Sequence, residues 1–388
     1  MVFPSFSLRT QMWVDTAAEQ AVARQLEALG AKRVLLISDP GVMKSGIVDG
    51  IRDAISAGTN CLQVFTDVMQ DPTLDLMDEI GSICVEGRIE AIVAVGGGAC
   101  MDAAKGAAIV AASGAGLRAA IGENRVNADP LPVLAVPTTA GTGSEVSWHI
   151  SVNDVANELK VTVRSPRAVC HSAILDPRMI STVPPMVAAA AGMDALTHSL
   201  EAYVGNIGRW ELTDALTLHA CRMIGASMIP HWSNPADPGP ARQMLIGSSL
   251  GGIALSHSRT GIVHQMARPL GAIFHVPHGL ANAVLLPWCL EFCWRHDIPR
   301  YAAIARAIGA DVEGTSDEMA AAASVTRIRE MNNIMGIPQS LTHFGVTDDE
   351  VERMARDALQ GKEAVTNPCR ATLVDVMDIY FKANRGMA

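Results

Sequence analysis

Short apolar runs recur through the first half of the chain and alternate with stretches of helical texture. VLLIS at 34–38, CLQVF at 61–65, AIVAV at 91–95 and PVLAV at 132–136 are rich in branched apolar side chains. Between them, 41–57, 73–87 and 101–113 read as helices. Apolar strands that alternate with helices predict βα units with a parallel sheet. Residues 147–165 carry no helical period and predict further strands. After Pro184 and Pro185 the texture changes to an Ala-rich helical period that runs to the end, with breaks near 206, 234–239, 269–279, 337 and 367. The predicted architecture is an α/β domain over 1–185 and an all-helical domain over 186–388. With no repeat, low-complexity tail or flexible linker in view, the junction reads as a hinge between packed halves.

Composition narrows the class. A chain of 388 residues is long for one core, and 49% hydrophobic residues can fill two. Only 4% are aromatic, so the cores must be built from Ala, Val, Ile, Leu and the 19 Met. A formal net charge of −10 argues against nucleic acid or an anionic membrane as main partner, because phosphate binding needs a basic surface. Small molecules remain. The eight cysteines, at 61, 84, 100, 170, 221, 289, 293 and 369, form no C-x-x-C and no framework of close pairs, which suits a reduced, cytoplasmic compartment. Cys100 reads as a small packed thiol rather than a reactive one. No secretory signal and no apolar run of membrane-spanning length is expected.

Two segments carry nucleotide chemistry. In VGGGACMDAAKGAAI a predicted strand runs into Gly96, Gly97 and Gly98 and then into a helix. Free backbone N–H groups and the positive end of the helix dipole converge there, where a phosphate can approach. The second strand runs into PTTAGTGSEVS, in which Thr138, Thr139, Thr142 and Ser144 offer hydroxyls beside Gly141 and Gly143. Two such loops after parallel strands predict a nucleotide across the carboxyl ends of the sheet, with the 147–165 strands returning over it. Asp39, in ISDPG, ends another apolar run. An acid there can accept from adenosine ribose hydroxyls and repel a 2′-phosphate, which favours NAD over NADP, although Asp before Pro is also an ordinary turn residue.

The helical half carries a second chemistry. Asp194 and His198, in GMDALTHSLEAYV, lie four residues apart on one predicted helical face. Taken alone, such a pair is commonly a helix-surface ion pair. His264 and His278 flank HQMARPLGAIFHVPH, whose Pro269, Gly271 and Pro277 are expected to interrupt any long helix and turn the chain back. One carboxylate and three neutral imidazoles suit Fe(II) or Zn(II) and leave a position open for water or a substrate oxygen.

GGGACMDAAK, PTTAGTGSEVS, DPRMISTVPPMVAAAAGMDALTHSLEAYV and IVHQMARPLGAIFHVPHGLANAVLLP together resemble the iron-containing (group III) alcohol dehydrogenase family, across nearly the whole chain. The resemblance implies a Rossmann-like N-terminal domain, an all-helical C-terminal domain, a metal in the cleft between them and usually a homodimer, in the fold shared with dehydroquinate synthases. It puts the metal ligands on Asp194, His198, His264 and His278, and the cofactor on the glycine triplet, Asp102, the Thr and Ser residues of the second loop and Lys160. It also associates Asp39 with NAD. The implied activity is hydride exchange between NAD(H) and a small alcohol or aldehyde whose oxygen the ion polarises, favouring aldehyde reduction near neutral pH.

Departures from the family pattern bear on the substrate. Arg268 stands where the family usually has a histidine that assists at the active site, and a guanidinium cannot shuttle protons at neutral pH. His275 is an alternative relay. His149 falls where relatives border the substrate, and Arg259 lies close in sequence to a ligand. Arg268, Arg259 and His149 are therefore candidates to bind an anionic group on the substrate. Glycerol dehydrogenases and metal-free maleylacetate reductases share the fold. The intact metal quartet disfavours the latter, and a non-catalytic nucleotide-binding regulator is the remaining alternative.

Overall fold

Alternate residues of the central strands belong to two different helical layers, and that sorting builds the N-terminal half. The computed structural model describes residues 6–157, 159–360 and 366–386. The described residues divide into two compact units, one over 7–183 and one over 184–386 that Phe6 joins. The first begins with β1 (Gln11–Val14), α1 (Ala18–Leu29), β2 (Arg33–Ile37), α2 (Pro40–Lys44), α3 (Asp49–Gly58) and β3 (Cys61–Phe65). It continues through α4 (Leu74–Glu86), β4 (Ala91–Gly96), α5 (Gly98–Ser113), β5 (Gly122–Glu123) and β6 (Val133–Pro137). Strands β7 (His149–Asp154), β8 (Leu159–Arg164) and β9 (Ser172–Leu175) complete it.

Six strands form a sheet in the order β1-β9-β6-β4-β2-β3, with every pair parallel. Val34, Leu36, Val93, Val95, Leu134 and Val136 pack with Ala21, Val22 and Leu26 of α1 and Ile51 and Ile55 of α3. Leu35, Ile37, Ile92, Ala94, Val133 and Ala135 face the other way, onto Ile80 and Cys84 of α4 and Met101, Ala104 and Ala108 of α5. The two-residue strand period thus feeds two cores, which is why these strands read as unbroken apolar runs. The predicted helical stretch 41–57 is two helices, separated by a turn in which Gly46 has φ 76°. Residues 147–165 form the antiparallel pair β7–β8, which β5 extends into a three-stranded sheet.

The C-terminal unit is helical. It comprises α6 (Pro185–Val204), α7 (Glu211–Ser233), α8 (Pro238–His257), α9 (Ile262–Phe274), α10 (His278–Cys293), α11 (Ile298–Ala307), α12 (Asp317–Ile334), α13 (Val351–Leu359) and α14 (Leu373–Arg385). Every residue of α6 from Gly192 to Val204 is buried, so this helix lies inside the unit rather than on it. One expectation is corrected here. Pro269 and Gly271 do not break the chain, since α9 runs through both to Phe274. The loss of one backbone donor at Pro269 is tolerated because Val263, Met266, Ala267 and Leu270 are buried around it. The reversal comes at His275, left-handed at φ 54°, and at Pro277, which caps α10. No helix among the described residues is long and apolar enough to cross a membrane.

Candidate nucleotide and metal sites

The strand order reverses between β2 and β4, and the sequence-predicted nucleotide residues gather at that end of the sheet. Gly97 is the extended N-cap of the sixteen-residue α5, with no capping side chain. Register pairs Gly96 with Pro137, which brings the glycine turn and the threonine loop side by side. A Cβ at Gly98 would stand 2.6 Å from Thr142 Cγ2, and one at Gly97 would stand 3.3 Å from Thr139 Oγ1. Glycine here is a packing requirement, because the hydroxyl-bearing loop lies against the start of α5. Thr138 is buried, its N–H bonded to the Gly96 carbonyl at 2.9 Å.

The remaining candidates at this end have protein partners. Asp39 caps α2 by accepting from Val42 N–H at 2.9 Å, and its other oxygen lies 3.7 Å from Cys100 Sγ. Asp102 accepts from Ser144 Oγ at 2.5 Å and from Ser151 N–H at 2.9 Å. Lys160 is ion-paired with Asp71 at 2.6 Å. Lys105, one turn beyond Asp102, is buried; its Nζ donates to the carbonyls of Ser144, Ser147 and His149 at 3.0, 3.3 and 2.6 Å, with Asp102 at 3.2 Å. Burial and the Asp39 charge push the Cys100 thiol well up, so it is a packed thiol and not a ready thiolate. All eight cysteines are free.

In the C-terminal unit the four sequence-predicted ligands converge. One donor atom from each of Asp194, His198, His264 and His278 lies within 4.8 Å of the others. Helix α6 supplies the first two from one face, α9 supplies His264 in its first turn, and α10 begins with His278. The Nε2 atoms of His198, His264 and His278 stand 3.8, 3.7 and 3.6 Å from Asp194 Oδ1. A tetrahedral ion with bonds of roughly 2.1 Å holds its donors about 3.4 Å apart, so the spacing fits a divalent cation of that size. The donor set fits as well: one anionic oxygen and three imidazole nitrogens around a single point. Asn282, one turn along α10 from His278, donates to Asp194 Oδ1 at 2.8 Å and lies 3.2 and 3.3 Å from the Nε2 atoms of His264 and His278. Asp194, His198 and His264 are buried, whereas the His278 side chain is 37% exposed, so the cluster reaches solvent on that side.

The electrostatics agree with a cation site. Burial alone would raise the Asp194 carboxyl, but His198, His278 and His264 outweigh it and hold the group well below the usual carboxylate range. Burial would depress His264, yet the charge of Glu201 and the bonds to Asp194 and Glu201 raise it to about 9. A carboxylate thus stands on each side of that imidazole. Sequence reading missed Glu201 and Asn282. The available signal was a polar residue at helical spacing from a ligand, seven residues after Asp194 and four after His278, inside otherwise apolar helices.

The substrate candidates are divided between the two units. His149 opens β7 in the N-terminal unit, where its backbone carbonyl accepts from Lys105. Arg259 and Arg268 belong to the C-terminal unit. The first is half-buried before α9, and the second is exposed one helical turn beyond His264. His275 is exposed at the end of α9.

Residues 10–177 match the sequence model of the iron-containing alcohol dehydrogenases, and residues 188–384 match that of the C-terminal part of the Fe-containing alcohol dehydrogenase family. The chain is similar to the lactaldehyde reductase of Escherichia coli (strain K12), with 32% identity over 378 residues, 97% of this chain and 98% of that protein. It is similar to the NAD-dependent methanol dehydrogenase of Bacillus methanolicus, with 29% identity over 370 residues, 95% of this chain and 97% of that one. A crystal structure of 1,3-propanediol oxidoreductase superimposes with a TM-score of 0.94 at 30% identity, covering 98% of this chain and 100% of the other.

Proposed function

The chain belongs to the iron-containing alcohol dehydrogenase family, and from that premise we propose that it exchanges hydride between NAD(H) and a small alcohol or aldehyde with the help of one divalent ion. The observation that carries the reading is the convergence of Asp194, His198, His264 and His278 in one largely buried cluster. These residues would hold the ion, Fe(II) first and Zn(II) second, since both accept this donor set. Bound there, such an ion supplies Lewis acidity to an alcohol or carbonyl oxygen.

The chain's own groups do the rest. The N-terminus of α5, Gly96–Gly98 and Thr138, Thr139 and Thr142 bind the pyrophosphate. Asp102 and Ser144 act on the nucleotide by fixing the loop, through the bond between them. Lys160, beside Asp71, borders the cofactor. Asp39 accepts from the adenosine ribose and disfavours a 2′-phosphate, in keeping with an NAD-dependent relative. His275, exposed and three residues before His278, passes protons to solvent. Arg268 and Arg259, with His149, extend the substrate range to aldehydes that carry an anionic group. The same reading makes the protein a cytoplasmic homodimer, with a light-scattering mass of twice 41.0 kDa.

Metal analysis of anaerobically purified protein, joined to an alcohol and aldehyde panel with NAD and NADP, tests the core of the reading. The expected result is about one iron or zinc per chain and NADH oxidation that chelator abolishes. Full turnover by chelator-stripped protein, or by D194N, would overturn it. For the anionic extension, a semialdehyde is expected to outperform a neutral aldehyde of equal length, and R268A to erase the advantage. Equal efficiency on both substrates would remove that part alone.

A further inference from the structure

Helix α9 begins at Gly261, which has no side chain to satisfy the free N–H groups of the first turn. Two residues distant in sequence serve instead. Ile262 N–H donates to Asn367 Oδ1 at 2.7 Å, and Gly261 and Val263 N–H donate to the two carboxylate oxygens of Glu201, both at 2.7 Å. A Cβ at residue 261 would stand 2.6 Å from Asn367 Oδ1 and 2.9 Å from Glu201 Oε1, so only glycine lets both caps close in. Glu201 makes one bond that Asn367 does not. Its Oε2 lies 2.6 Å from His264 Nδ1.

A carboxylate only accepts, so Nδ1 of His264 carries a proton, and Nε2, on the side of Asp194 at 3.7 Å, is the nitrogen left to meet an ion. Helix α6 sets this up by repetition. Asp194, His198 and Glu201 follow at intervals of four and three residues on one face, so a single helix supplies two ligands and the support of a third. Glu201 is only 3% exposed, and among the described residues it bonds to backbone N–H groups and to His264. The carboxylates of Asp194 and Glu201 together match the charge of one divalent ion among three neutral imidazoles.

We propose that Glu201 is a positioning residue of the metal centre: it fixes His264 in the tautomer that turns Nε2 to the ion and holds the end of the helix that carries that ligand. The inference rests on the metal reading given above. In E201Q the amide oxygen can still accept from one of the two N–H groups of α9, but a neutral amide no longer enforces the Nδ1–H tautomer or supplies the second negative charge.

Metal-free protein titrated with Co(II), read by visible absorption and by competition with a chelator, tests it in the wild type, E201Q, N367A and D194N. Loss of such an outer partner commonly lowers metal affinity about 10- to 100-fold, and E201Q is expected to fall in that range with a changed cobalt spectrum. N367A, which loosens the same helix end without touching His264, is expected to lower Tm yet keep the wild-type affinity and spectrum. Wild-type affinity in E201Q, or an equal loss in N367A, overturns the proposal and leaves the metal reading standing. If the wild type binds Co(II) no better than D194N, the metal reading falls and the proposal with it. Nitrogen-15 NMR of Zn(II)-loaded wild type needs no variant to fold. His264 is expected to bind through Nε2 with a slowly exchanging Nδ1–H, and binding through Nδ1 overturns the proposal.

Discussion

Asp39 has two duties that one substitution can separate. As the N-cap of α2 it accepts a backbone bond, a task asparagine performs equally well. As the group that selects NAD it depends on its negative charge, which asparagine lacks. D39N should therefore fold with wild-type stability while its preference for NAD over NADP in kcat/KM falls by about tenfold or more, the scale of one hydrogen bond to a charged group. An unchanged preference would leave Asp39 a cap and nothing else. Lys105 poses the converse case, because its ammonium ties three carbonyls of the 144–149 segment and Asp102 to α5. K105M would leave three carbonyls and the half-buried Asp102 carboxylate without their cation, and breaking a buried pair costs about 3–5 kcal/mol. The expected outcome is a matching loss in urea unfolding together with a raised KM for nucleotide. A variant with normal stability and normal KM would show that the loop holds itself.

Among the elements, β7 ends in a charge pair whose pH dependence can be stated. Asp154 accepts from Arg118 at 2.6 and 2.7 Å, and that bond, with Asn157, holds its carboxyl at about 2. The folded value lies below the unfolded value of roughly 3.9, so the contribution is fully present above that value and lost as pH falls toward 2. The stability gap between wild type and D154N should be flat above pH 5 and shrink steadily between pH 4 and pH 2. A gap that persists at pH 2 would mean that the carboxylate charge contributes nothing. Legibility also differs by element. Strands β2, β4 and β6 are readable because both faces are buried and the sequence is apolar throughout. Strands β1 and β9 span four residues each, too few to show a period, and their pairing joins residue 11 to residue 172. The course of α9 through Pro269 was misread because burial outweighs the local rule. The metal quartet is visible as a helical spacing plus a turn; Glu201 and Asn282 show only a helical spacing from a ligand, and Asn367 acquires its role from a tertiary contact that no spacing displays.

At the scale of the whole chain, each ligand has its own scaffold. The candidate metal donors come from α6, α9 and α10 of the C-terminal unit, so an ion held there would tie α6 to the successive helices α9 and α10. The proposed dinucleotide site draws on the ends of β2, β4 and β6 in the N-terminal unit. A ligand that binds only the folded state stabilises it by RT ln(1 + [L]/Kd), about 2.7 kcal/mol at a hundredfold excess over Kd. Because exchange protection reports local opening, that stabilisation should appear first where the donors sit. Hydrogen exchange on metal-free protein is therefore expected to slow in α6, α9 and the first turns of α10 when Zn(II) is added. NAD added without metal should slow exchange at residues 96–100 and 138–147 instead. Zn(II) protection that bypasses all three helices would remove the metal from the proposed site, and NAD protection that bypasses both segments would remove the dinucleotide from the glycine turn.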